Sequence, residues 1–222
     1  MRPFFRDHFA RLDRQIVLVD ALAAFNAGPE ALHDLEAALA GILDCFRMGR
    51  STILSNLFRP RIDRILFAAT KADHLHHLSH DRLEAILRRA VAKAADRAEY
   101  AGAAIDVVAL AAVRATREAM VARGREKLPS LLGTPASGEI ANGDTFDGET
   151  EVATFPGDLP SDPEELFMGT FRGLSSAPSE KADYRFLRFR PPLLQREGDE
   201  EPALPHIRLD RALQFLIGDR LQ

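Results

Sequence analysis

Arg64-Ile65-Leu66-Phe67-Ala68-Ala69-Thr70-Lys71-Ala72-Asp73-His74-Leu75 (RILFAATKADHL) is an apolar run that stops abruptly at a hydroxyl, an ammonium and a carboxylate. Ile62 to Ala69 reads as a buried strand, which puts the tetrad Thr70-Lys71-Ala72-Asp73 at its carboxyl end. In open α/β sheets ligands bind beyond the carboxyl ends of the strands, so this is where a ligand would be met. A carboxylate there can accept hydrogen bonds from both the ring N–H and the exocyclic amine of guanine, a pair that adenine does not offer in that arrangement. Lys71 can lay its methylene stem along the base, and Thr70 can hold the loop through its hydroxyl. The same four residues also read as a solvated Lys-Asp pair capping a strand, and both readings stand on the residues alone.

The segments on either side set the fold class. Upstream, Gln15-Ile16-Val17-Leu18-Val19-Asp20 is a short β-branched run ending in a carboxylate. Asp20 is then either a structural cap or, as in nucleoside triphosphatases, the carboxylate that holds Mg²⁺ through water, since a small hard cation keeps its hydration. After Asn26-Ala27-Gly28, Pro29 suits the first turn of a helix, and Leu32, Leu35, Leu39, Ile42 and Phe46 recur at helical spacing. Residues 51–58 read as one or two helical turns between Gly49 and Pro60. Downstream, an amphipathic helix is expected from Asp81 to Tyr100, with Leu83, Leu87, Ala90, Val91 and Ala94 on one side. Ile105 to Ala112 is a third strand, with a turn at Ala112 and Val113. Helices alternating with short continuous apolar strands predict a parallel α/β sheet covered on both faces.

From about Arg117 glycines and prolines break any long period. Short hairpin strands are expected there, with a mobile loop over 134–150. Tyr184 to Phe189 alternates like a strand with one wet, arginine-bearing face, and Leu209, Ala212, Leu213, Leu216 and Ile217 make an amphipathic helix that should pack back on the sheet. The chain is thus read as a single domain: an α/β core over 1–116, a β-hairpin and loop insertion over 117–203, and a terminal helix over 204–222.

Composition narrows the function. A net charge of -4 over 222 residues gives no electrostatic reason for nucleic-acid binding, and 46% hydrophobic content suits a buried core. The lone Cys45 builds no intrachain disulfide and reads as a small buried hydrophobe. No apolar run approaches the ~20 residues of a membrane span, and a cytoplasmic location is the expectation. His74, His76, His77 and His80 invite a metal reading, but nothing in the sequence fixes a ligand set, and a solvated loop is the plainer one. No Gly-x-Ser-x-Gly, His-Glu-x-x-His or GxGxxG pattern occurs.

The segments LVDALAAFNAGP, LFRPRIDRILFAATKADHL, VVALAAVRAT, FPGDLP and LPHIRLDRALQFLIGDRL, in this order over nearly the whole chain, resemble the YcjX family of bacterial P-loop proteins, Ras-like GTPases or ATPases. The resemblance implies a P-loop NTPase-like three-layer fold, guanine recognition by Thr70, Lys71 and Asp73, and Mg²⁺ with GTP or GDP in the complete protein, Asp20 being the carboxylate nearest the ion. It places Ala112 and Val113 where backbone N–H groups would meet the guanine oxygen. Asp20-Ala21-Leu22-Ala23 departs from the Asp-x-x-Gly of GTPases, and no Gly-x-x-x-x-Gly-Lys-Ser/Thr loop occurs in the 222 residues. The chain is therefore expected to be the C-terminal portion of such a GTPase, inactive alone, with a missing N-terminal part or a protein partner. A non-catalytic interaction module derived from a GTPase domain is the alternative. In that fold the strand feeding the phosphate loop is expected between the strand ending at Asp20 and the one ending at Thr70. Its absence would expose two apolar strands and predicts poor solubility.

Overall fold

The computed structural model describes residues 12–44, 62–123, 125–141, 143–171, 186–192 and 204–221. Phe46, Cys45 and the turns expected over 51–58 lie outside them. Three strands, β1 (Arg14–Val19), β2 (Arg64–Ala69) and β3 (Ala104–Ala109), form a parallel sheet in the order β1-β2-β3. The two strands expected to be left apart by a missing neighbour are not: β1 pairs directly with β2, from Arg14 opposite Arg64 to Val19 opposite Ala69. The ladder continues past both ends, through Asp63 N–H to Asp13 O (2.8 Å) and Thr70 N–H to Val19 O (2.9 Å). Two apolar runs of equal length satisfy each other's backbone groups, which would otherwise be costly orphans in a core. β2 is central, and β1 has no second strand neighbour among the described residues.

Asp20 interrupts β1 and caps α1 (Ala21–Ala27), a short helix that the sequence reading missed. Gly28, at φ 99°, then turns the chain into α2 (Pro29–Asp44). The third helix, α3 (His80–Tyr100), fills the connection from β2 to β3 and begins one residue before the expected Asp81. Side chains alternate across the sheet with period two. Val17, Val19, Ile65, Phe67, Ala69, Val107 and Ala109 face α1, α2 and α3 and form the main core. On the other face Leu66, Ala68 and Val108 meet α5 (Leu209–Ile217), as the terminal apolar stripe predicts. On the same face of the sheet, Ile16 and Leu18 of β1 remain 40% and 62% exposed.

The tail of α5 is tied to the far end of the sheet. Arg14 and Arg64 donate to the carbonyls of Leu216 and Phe215, each at 2.5 Å, Arg14 also chelates Asp219 (2.5 and 2.7 Å), and Arg220 pairs with Asp13. Cations at a helix C-terminus meet its unsatisfied carbonyls.

Beyond β3 the chain forms a separate antiparallel sheet from β4 (Arg117–Arg123), β5 (Glu126–Gly133) and β8 (Val152–Thr154), longer strands than the short hairpins expected. Within 134–150, read as a loop, lies a two-stranded hairpin of β6 (Ile140–Ala141) and β7 (Asp144–Thr145). A four-residue helix, α4 (Glu164–Phe167), follows. Where a last strand was expected, the described part makes only an isolated bridge from Phe189 to Pro135; Leu187 is buried, while Arg188 is exposed and paired with Glu139 (2.7 Å). No helix among the described residues is long and apolar enough to cross a membrane.

Candidate functional site

Three strand ends converge: Asp20 follows β1, Thr70 to Asp73 follow β2, and the turn at 110–116 follows β3. Thr70 continues the ladder, its N–H and hydroxyl both donating to Val19 O (2.9 and 3.2 Å). Lys71 takes a left-handed conformation, φ 62° and ψ 33°, that a residue with a Cβ adopts only under constraint. This bend turns its side chain toward β1, where Nζ lies 2.6 Å from Asp20 Oδ2. Asp20 Oδ1 meanwhile accepts from Ala23 N–H at 3.2 Å. One carboxylate thus caps a helix and holds the lysine, with both partners partly open to solvent.

Asp73 stands in a single 3₁₀ turn, Ala72–His74, and is 5% exposed. Its Oδ2 accepts from Ala115 N–H at 2.9 Å and its carbonyl accepts from the Thr116 hydroxyl at 2.5 Å. Oδ1 has no hydrogen-bond partner among the described residues. Ala72 N–H reaches Leu110 O (3.2 Å), closing the loop onto β3. Ala112 and Val113 are exposed in the same turn, but the amide that meets the carboxylate belongs to Ala115, two residues further on.

His80 braces this loop from behind. Its Nε2 lies 2.9 Å from Ala72 O and 3.3 Å from Leu75 O, and since carbonyls only accept, that nitrogen carries the proton. Burial pushes the imidazole below the usual histidine range, which keeps it neutral. His74 is likewise pushed down by burial, and packs edge-on to Phe189 with ring centroids 5.6 Å apart. The roles of Ala115, Thr116 and His80 escaped the sequence reading. The small residues of the turn and the fourth histidine of the run were visible, but not their partners.

A cleft of about 760 Å³ opens beside Thr116, lined by Arg114, Arg117, Glu151 and Arg190 among others. Its guanidiniums are engaged within the protein: Arg114 with Glu118 (3.1 Å), Arg117 with Glu151 (2.8 Å) and Arg190 with Gly148 O (2.5 Å). The cleft is therefore charge-balanced rather than a cradle for polyphosphate.

Comparison with known proteins identifies the family. The chain is 37% identical over 223 aligned residues to the Ras-like GTPase YcjX of Escherichia coli (strain K12), covering 100% of this chain and 43% of that protein. It is 33% identical to the Ras-like GTPase YcjX of Shewanella oneidensis, again over the whole chain but 41% of the relative. The chain spans about two fifths of the length of these curated relatives. Residues 1–221 match the model of the YcjX-like family, DUF463, and the chain belongs to that family.

Proposed function

We propose that these residues are the base-reading portion of a P-loop GTPase domain. Asp73 is the guanine-selective group: the Ala115 amide fixes Oδ2, and Oδ1 is left to accept from a base. Two N–H donors on one edge of guanine meet one carboxylate, whereas adenine presents an acceptor there. Lys71, bent toward β1, forms the side of the pocket with its methylene stem, and Thr70 pins the loop to β1. Ala112 and Val113 offer backbone N–H groups from the exposed turn to the guanine oxygen. The observation that carries this reading is the placement of Asp73 at the carboxyl end of a buried central strand, with its carboxylate held by the turn after the next strand.

The rest of the nucleotide would be gripped elsewhere. No Gly-x-x-x-x-Gly-Lys-Ser/Thr occurs in the 222 residues, and backbone amides with a lysine are what cradle polyphosphate. β1 and β2 pair directly and leave no gap for the strand that would carry them, whereas the open edge of β1, with Ile16 and Leu18 exposed, suits a further strand. Asp20 fits Mg²⁺ only through water, because both its oxygens already hold Ala23 and Lys71. When bound, the ion would neutralise charge on the phosphates. The 222 residues alone therefore bind guanine weakly and do not hydrolyse GTP, and without a phosphate grip they act as an interaction module.

Titration with a fluorescent guanine nucleotide tests this, with guanosine and adenosine as competitors. Displacement by guanosine but not adenosine, abolished by Asp73→Ala, is expected. Binding that Asp73→Ala leaves intact refutes the base assignment, and GTP turnover by the 222 residues refutes the division of labour.

A further inference from the structure

The run His74 to His80 supplies no ligand set by itself, but the fold brings it a carboxylate from another element. His76 precedes the 3₁₀ turn His77–Ser79, and Glu118 lies on β4. One ligand atom from each of His76, His77 and Glu118 can be chosen so that all lie within 4.8 Å of one another. His77 Nδ1 is 2.5 Å and His76 Nε2 4.0 Å from the same oxygen, Glu118 Oε2, and the two imidazole centroids are 4.3 Å apart. We propose that His76, His77 and Glu118 bind a divalent transition-metal cation, with Zn²⁺ as the preferred ion.

Donor atoms at ~2.1 Å from a tetrahedral ion sit roughly 3.4 Å apart. The two histidine–oxygen separations bracket that value and all three donors lie within 4.8 Å of one another, so modest side-chain rotations bring them around one ion. The carboxylate is already oriented for this: its other oxygen, Oε1, is held by Arg114 at 3.1 Å, and Arg114 Nε is fixed in turn on Thr116 O (3.0 Å). Such outer contacts aim a ligating carboxylate and leave its second oxygen for the ion. His76 is buried and anchored through Ser79 N–H to its carbonyl (2.9 Å), while His77 is 59% exposed at the side chain. An ion can thus enter from the His77 side and keep water in its remaining positions. His76 Nδ1 accepts from Leu78 N–H only at a long 3.4 Å, a contact that a change of tautomer gives up at small cost.

The donor set chooses the ion. Two imidazoles and one carboxylate suit Zn²⁺, Co²⁺ or Ni²⁺, whereas Mg²⁺ and Ca²⁺ want oxygens throughout. The site is independent of the nucleotide reading, though it shares its scaffold. His76 is three residues after Asp73 and Glu118 two after Thr116, so a bound ion would clamp the two segments that the Thr116–Asp73 hydrogen bond already joins.

The test is calorimetric titration of the chelator-treated 222-residue chain with Zn²⁺, repeated with His77→Ala, Glu118→Gln and, as a control, His33→Ala on α2. Expected are one ion per chain, affinity reduced about tenfold or more by each of the first two changes, no change with His33→Ala, and a Zn²⁺-dependent rise in melting temperature in the parent and in His33→Ala that the other two variants lose. Because His77 is exposed, its variant keeps the fold even if Glu118→Gln does not. Absence of stoichiometric binding, or binding that His77→Ala does not weaken, overturns the proposal. Co²⁺ substitution gives a second readout: ligand-field bands that shift with His77→Ala are expected, and bands identical in the variant count against it.

Discussion

Replacing Glu84 should detach the edge of the sheet from the terminal helix. Glu84 projects from α3 with its side chain only 13% exposed, and its Oε1 accepts from Ala109 N–H at 3.0 Å, a donor on the side of β3 away from β2. The same carboxylate pairs with Arg208 and, at 3.3 Å, with Arg211, both of the terminal segment. Glu84→Ala leaves a buried N–H without a partner, a cost of about 1–3 kcal/mol. The two guanidiniums are not abandoned, since Arg208 keeps Asp81 (2.8 Å) and Arg211 keeps Asp106 (3.2 Å). The further loss is therefore smaller than the ~3–5 kcal/mol of a fully orphaned buried charge, and Arg211, nearly half exposed, adds little. The total comes to roughly 3 kcal/mol, a large part of a domain's ~5–15 kcal/mol, or a melting-temperature drop of about 6–12 °C for a chain of this size. Glu84→Gln keeps an acceptor for Ala109 and should cost about 1–2 kcal/mol. Urea unfolding of the three proteins with a common slope reads these differences directly. A Glu84→Ala midpoint equal to the parent's refutes the reasoning, and so does Glu84→Gln as damaging as Glu84→Ala, which would mean that charge and not edge capping matters.

Two further outcomes follow from the same geometry. Thr116→Val preserves shape but removes the hydroxyl that donates to Asp73 O, leaving a buried acceptor; a loss of about 1–3 kcal/mol in urea unfolding is expected, and none if the contact is idle. Asp147 accepts from Thr150 Oγ (2.6 Å), Thr150 N–H and Glu149 N–H, which hold its carboxyl at about 2. That lies below the ~3.9 of an unfolded chain, so its contribution to holding the turn is complete above the unfolded value and is lost as pH falls through about 2. A carboxyl ¹³C titration with a midpoint near the unfolded value would refute the assignment.

The parallel core was legible because a buried central strand and its neighbours are continuous apolar runs, and periodicity detects these without knowing their partners. Strand order was not, since nothing in Gln15 to Val19 says which neighbour completes its ladder. The tetrad Thr70 to Asp73 could be placed at a strand end, and its carboxylate is held there, but by Ala115, an amide without a side-chain signal. Asp20 was visible as a strand terminator, while its engagement with Lys71 depended on a backbone bend that no propensity for lysine predicts. Glu118 sits in an unremarkable strand, 41 residues from the His77 it meets. Such pairings are decided by tertiary packing alone.

The arginine clasps between Arg14, Arg64 and the tail of α5 also bear on the order of assembly during synthesis. β1 is made some 190 residues ahead of Leu209, yet among the described residues the underside of its sheet is covered by that late helix. Until that helix has emerged, Leu66, Ala68 and Val108 lack its cover, and a nascent chain in that condition is prone to capture by chaperones or by its neighbours on a polysome. Emergence of α5, rather than completion of the three strands, is then the step at which this face of the sheet becomes safe from aggregation.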